Sequence, residues 1–78
     1  MTQTPTEADR TAELHRLIES GEAEKIRKKS GLPLAVVGRS VGAHASAVGR
    51  WERGERRPLG ESAARYLDLL QRLGKALQ

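Results

Sequence analysis

Four arginines, Arg50, Arg53, Arg56 and Arg57, fall within eight consecutive residues of a 78-residue chain. A guanidinium is planar, permanently charged and forked, a shape that meets a phosphate or the O6/N7 edge of guanine with two hydrogen bonds. The surrounding stretch shares the sign. Residues 25–57 carry nine bases against two acids, whereas residues 1–24 carry six acids against two bases and residues 58–78 three bases against two acids. The formal charge of +4 therefore conceals a strongly basic middle third, the pattern of a face that meets phosphates. A plain solvated basic surface has the same composition, so charge alone leaves both readings open. Other chemistry is not provided for. There is no cysteine, which removes disulfides and thiolate metal ligands. His15 and His44 lie in separate segments without carboxylate or thiol neighbours at ligand spacing, so neither a metal site nor a cofactor is expected. No Gly-rich loop ends in Gly-Lys-Ser/Thr and no nucleophile–base pair is suggested, so enzymatic activity is not expected.

The elements that must position these arginines read as helices throughout. Thr6 with Asp9 forms a capping-box pattern, and Leu14, Leu17 and Ile18, with Thr11, share one helical stripe, predicting a helix over 6–19 that Ser20-Gly21 stops. A second helix is predicted over 22–30, burying Ala23 and Ile26 and ending at Gly31. Pro33 suits the first turn of a third, with Val37 and Val41 as an i, i+4 apolar pair and Gly42 free to adopt the positive φ of a tight turn. His44 to Arg53 reads as a fourth helix, Ala47, Val48 and Trp51 inward and Ala45, Ser46, Gly49, Arg50 and Arg53 outward. Leu59 to Leu77, with Ala63, Tyr66, Leu67, Leu70 and Leu73 at 3–4 spacing, is a fifth. No strand pattern occurs. The expected architecture is an all-α bundle of about five short helices, a single domain over 6–78 behind a flexible terminus of residues 1–5. Phe is absent and Trp and Tyr occur once each, so Leu, Val, Ile and Ala must fill the core.

Two short helices across a glycine turn, the second apolar inside and polar outside, make a helix-turn-helix pattern, with Gly38 where the two approach closely. At this point Ile26-Arg27-Lys28-Lys29-Ser30-Gly31-Leu32, then Val41-Gly42, then Val48-Gly49-Arg50-Trp51-Glu52-Arg53-Gly54 resembles the Cro/Xre-type phage-repressor family over residues 22–73. The resemblance implies a lambda-repressor-like domain that binds double-stranded DNA, usually as a homodimer, and regulates transcription as a repressor. It implies that the helix 44–53 enters the major groove and that Arg27 and Glu52 pair across helices.

On that footing base contacts are expected from Ala45, Ser46, Gly49 and Arg50. Arg50 reads guanine or, alternatively, lies on phosphate; Ala45 meets a thymine methyl, and Gly49 lets the helix sit close. Phosphate contacts are expected from Leu34, Arg39, His44, Ala47, Arg53, Arg56 and Arg57. Arg39, Lys28 and Lys29 are the weaker candidates, and Trp51 and Tyr66 are core anchors. The chain departs from the family at three places. Pro33-Leu34 replaces the usual hydroxyl residue and phosphate-clamping Gln, leaving backbone amides and the helix dipole to hold phosphate there. Gly38 replaces Ala, at about 1 kcal/mol of helix propensity, and His44 replaces a hydroxyl N-cap.

The stripe of Leu14, Leu17 and Ile18 and the band of Leu69, Leu73 and Leu77 read either as internal packing or as a two-fold interface that sets two recognition helices one DNA turn apart. An antitoxin-like module holding a protein partner through the first or last helix, and a DNA-bending recombination accessory protein, are the alternatives to a repressor. No apolar run reaches the ~20 residues of a membrane span, and the sequence begins without a signal-peptide stretch. The expected location is the cytoplasm, with the nucleoid.

Overall fold

The computed structural model describes residues 4–78. Five helices run in order, α1 Glu7–Glu19, α2 Glu22–Lys29, α3 Leu34–Val41, α4 Ala45–Glu52 and α5 Gly60–Ala76, and no strand occurs among the described residues. The expectation of a flexible terminus over residues 1–5 falls partly on residues 1–3, which lie outside the described ones.

Local chemistry fixes the first boundary. Thr6 Oγ1 accepts from the Asp9 amide at 3.1 Å while the Thr6 amide donates to Asp9 Oδ2 at 3.0 Å, so two groups that a helix start leaves unpaired satisfy each other. The Thr6 amide and hydroxyl hold the Asp9 carboxyl below the usual carboxylate range. Pro33 and Leu59 stand one residue earlier than the sequence suggests: both are N-caps with extended backbone, outside the helices they precede. Proline's fixed φ suits either place.

All five helices give side chains to one core. Leu14, Leu17 and Ile18 of α1, Ala23 of α2, Val37 and Val41 of α3, Val48 and Trp51 of α4, and Tyr66, Leu67 and Leu70 of α5 are buried. Trp51 and Tyr66 stack at a tilt, ring centroids 5.1 Å apart, and supply the bulk that an aromatic-poor sequence otherwise lacks. Burial of Leu14, Leu17 and Ile18 within the chain removes that stripe as a two-fold interface. Thr11 is exposed, and Ile26, Leu69 and Leu73 are half-buried. Outside the core, Arg10 of α1 reaches α5, donating to Asp68 Oδ1 at 2.7 Å and to the Ala64 carbonyl at 3.2 Å.

α3 approaches the turn into α4 closely at Gly38. Gly42, with φ +77°, ends α3 in the left-handed region, and the Ala43 amide donates back to the Gly38 carbonyl at 2.8 Å. A Cβ on Gly38 would stand 2.5 Å from the Ala43 carbonyl oxygen and 3.2 Å from both Ala45 N and His44 C. Only a residue without a side chain allows this packing. The turn thus orients α4 through backbone contacts.

Candidate nucleic-acid interface

Two short helices, α3 and α4, meet across the Gly42-Ala43-His44 turn. Neither has a side-chain cap: Pro33 and His44 hold the N-cap positions with extended backbone and offer their first-turn amides no side-chain acceptor. First-turn amides lack an intrahelical partner and carry the positive end of the helix dipole, so an anion is their natural acceptor. This is the physical content of the expected phosphate contact at Leu34, half-buried at the start of α3, and of that at the exposed His44. The amide of the half-buried Ala47 already donates to the His44 carbonyl at 3.0 Å, so the contact expected there has no unpaired amide behind it.

The outer ridge of α4 is formed by Ser46, Arg50 and Arg53, spaced i, i+4, i+7 and all exposed; such spacing stacks side chains on one face. Val48 and Trp51 are buried on the reverse. Two residues expected outward lie elsewhere. Ala45 is half-buried, and Gly49 is buried: a Cβ there would meet Arg53 Nη1 at 3.2 Å and Leu34 Cδ1 at 3.5 Å. Gly49 is therefore covered by neighbours from α3 and from the end of its own helix, and it does not present a bare patch. Arg39 on α3 and Arg56 and Arg57 in the loop after α4 are exposed.

A buried ion pair holds the recognition unit to the rest of the bundle. Arg27 of α2 donates through Nε to Glu52 Oε2 at 2.5 Å and through Nη2 to Glu52 Oε1 at 3.0 Å, and through Nη1 to the Leu32 carbonyl at 3.1 Å. The two side chains are only 13% and 3% exposed. Three of the five guanidinium N–H groups thus have acceptors, and the hydrogen bonds to Glu52 raise the already high Arg27 pKa. The charge stays on, and α2, the 30–33 turn and the end of α4 are fixed together. Beside them the Tyr66 hydroxyl is buried with no hydrogen-bonding partner among the described residues; burial pushes its ionisation well above the ordinary value, so it remains neutral.

Among the ion pairs that the sequence did not suggest, one lies on the ridge itself. Arg53 donates through Nε to Glu55 Oε2 at 2.7 Å. The pairing depresses the Glu55 carboxyl below its usual range, and the hydrogen bond from Arg53 is the largest cause. Opposite charges two residues apart across a helix end were the available signal.

A helix with an exposed Ser46–Arg50–Arg53 ridge, set across a glycine turn from a second helix and backed by an all-α core, defines a helix-turn-helix DNA-binding domain. The match to the family described as Helix-turn-helix covers residues 24–74, roughly two thirds of the chain; the chain belongs to this Cro/Xre-type family. The matched stretch runs from α2 into α5 and leaves α1 outside it. The family is one of DNA-binding regulator domains and not of enzymes. Comparison with curated proteins and with solved structures returns no match. No helix among the described residues is long and apolar enough to cross a membrane, and no cluster of His and acidic residues there could hold a metal ion.

Proposed function

We propose that this chain is a sequence-specific regulator that represses transcription by occupying an operator, with α4 and its caps, His44 to Arg53, in the major groove of double-stranded DNA. The observation that carries the reading is the exposed Ser46–Arg50–Arg53 ridge, beside two uncapped helix starts that suit phosphate. Arg50 reads a guanine from mid-helix, and Ser46 bonds a base or a phosphate one turn earlier. Ala45, half-buried, is left a thymine methyl at most. Arg39, Arg53, Arg56 and Arg57 hold the backbone, setting register without reading sequence. Gly49 takes no direct part in readout and serves by leaving room for Arg53. With so few base-reading side chains, specificity draws on the spacing of two half-sites and on DNA shape.

Selection of bound sequences from a random duplex pool tests this. A pseudo-palindrome with half-sites about 34 Å apart is the expected outcome for a homodimer; a single asymmetric site contradicts the dimer. Arg50→Ala is expected to lose roughly 1–3 kcal/mol of discrimination at one base pair per half-site. Equal weakening on every sequence would make Arg50 a phosphate contact instead.

A second reading, attachment of a protein partner to the first and last helices, is favoured by one feature. Leu59 is 80% exposed and borders a groove of about 670 Å³ between α1 and the start of α5, lined by Leu14, Pro58, Ala63, Ala64 and Leu67. Leu59→Ser adds a hydroxyl cap to α5 and removes the exposed side chain, so it separates this role from DNA binding. Loss of self-association or of a co-purifying protein, with the DNA contacts intact, supports the partner reading.

A further inference from the structure

We infer that Glu55 is an internal substitute for phosphate, holding the Arg53 guanidinium at the edge of the α4 ridge until a DNA phosphate displaces it. The inference rests on the DNA-binding reading above and adds to it a residue of opposite sign. Three observations place the pair. Glu55 is tied to the end of α4, its amide donating to the Arg50 carbonyl at 2.9 Å while the Gly54 amide donates to the Trp51 carbonyl at 3.1 Å. The carboxylate then meets Arg53 from outside, Nε to Oε2 at 2.7 Å with a weaker second contact of 3.5 Å from Nη2 to Oε1. The other end of the guanidinium lies against Gly49, where a Cβ would meet Nη1 at 3.2 Å and Leu34 Cδ1 at 3.5 Å.

Arg53 is thus drawn back over its own helix toward the start of α3, where this chain has Leu34 and no polar side chain to clamp phosphate. A carboxylate and a phosphate oxygen compete for the same fork of N–H donors. While Glu55 holds it, Arg53 adds almost nothing to the net charge a duplex meets. On binding, the phosphate takes the N–H groups and the carboxylate turns to solvent; both side chains are more than half exposed, so the exchange needs no change in the core. Because phosphates carry no sequence information, the exchange lowers affinity on all duplexes alike.

The experiment measures duplex affinity against salt for the wild type, Glu55→Gln, Arg53→Gln and the double variant, with Glu61→Gln as a control that removes the same charge from another exposed ion pair, Arg65–Glu61. Glu55→Gln is expected to tighten binding roughly two- to fivefold, the scale of an exposed ion pair, with the salt slope little changed because Arg53 meets the same phosphate in both proteins. The gain should vanish in the Arg53→Gln background and be absent in Glu61→Gln. An equal gain in the Arg53→Gln background, an equal gain from Glu61→Gln, or no gain from Glu55→Gln in a protein that binds DNA would each overturn the role of Glu55 and leave the DNA-binding reading standing. Failure of both wild type and Glu55→Gln to bind any duplex in dilute buffer would overturn the two together.

Discussion

Glu52→Ala is expected to cost about 3–5 kcal/mol, the largest effect of any single substitution outside the apolar core. The reason is asymmetry. Removing one member of a buried, hydrogen-bonded ion pair leaves the other charged and unpaired in a poorly solvated site, and Arg27 is held between α2 and α4 where only the Leu32 carbonyl would remain as an acceptor. A domain of this size has about 5–15 kcal/mol in all, so the variant should lose a large share of its stability and show a sharply lower denaturation midpoint. The double variant Arg27→Met/Glu52→Leu separates packing from charge: replacing both partners by apolar groups is often neutral or stabilising, and it should recover most of the loss. A single-variant cost under about 1 kcal/mol would mean that the pair is solvated and does not brace α4.

The second large effect is expected at Gly38. Replacing a mid-helix glycine by alanine ordinarily gains about 1 kcal/mol of helix propensity. Here the sign should reverse, because the new Cβ would stand 2.5 Å from the Ala43 carbonyl oxygen and 3.2 Å from two further backbone atoms, none of which can swing away as a side chain can. Overpacking of this kind costs typically 1–3 kcal/mol, so Gly38→Ala should lower stability by up to about 2 kcal/mol net of the propensity gain. It should also open the angle between α3 and α4 and weaken DNA binding in the fraction that remains folded. Thermal denaturation together with duplex affinity checks this; a raised melting temperature would show that the turn relaxes freely. The departure from the family's alanine is therefore fitted to the closeness of this turn, a reason that helix propensity alone does not supply.

What the sequence discloses here is what is local. The Thr6/Asp9 cap, the Val37/Val41 pair and the left-handed Gly42 each depend on residues within four positions, and all three stand as expected. The helix ends at Pro33 and Leu59 differ by one residue because an extended N-cap and a first helical residue share much of their chemistry. The packing of α1 onto the other helices and the covering of Gly49 are tertiary matters. Periodicity puts Gly49 outward; only the arrival of Leu34 and Arg53 over it shows otherwise. The Arg27–Glu52 pair spans 25 residues of sequence, and the family resemblance, not the spacing, suggests it. Glu55 lies beside Arg53 in plain sight, but a pair at i, i+2 across a helix end gives no face to read from.

The central claim is that α4 and the uncapped start of α3 meet the duplex. Titrating isotopically labelled protein with the selected duplex and following the amide resonances tests it most directly. The largest shifts are expected at residues 34–36, 44–50 and 53–57, with α1 nearly unmoved and the shifts fading as salt rises. Shifts concentrated instead along the groove between α1 and α5, or none at all in dilute buffer, would contradict it.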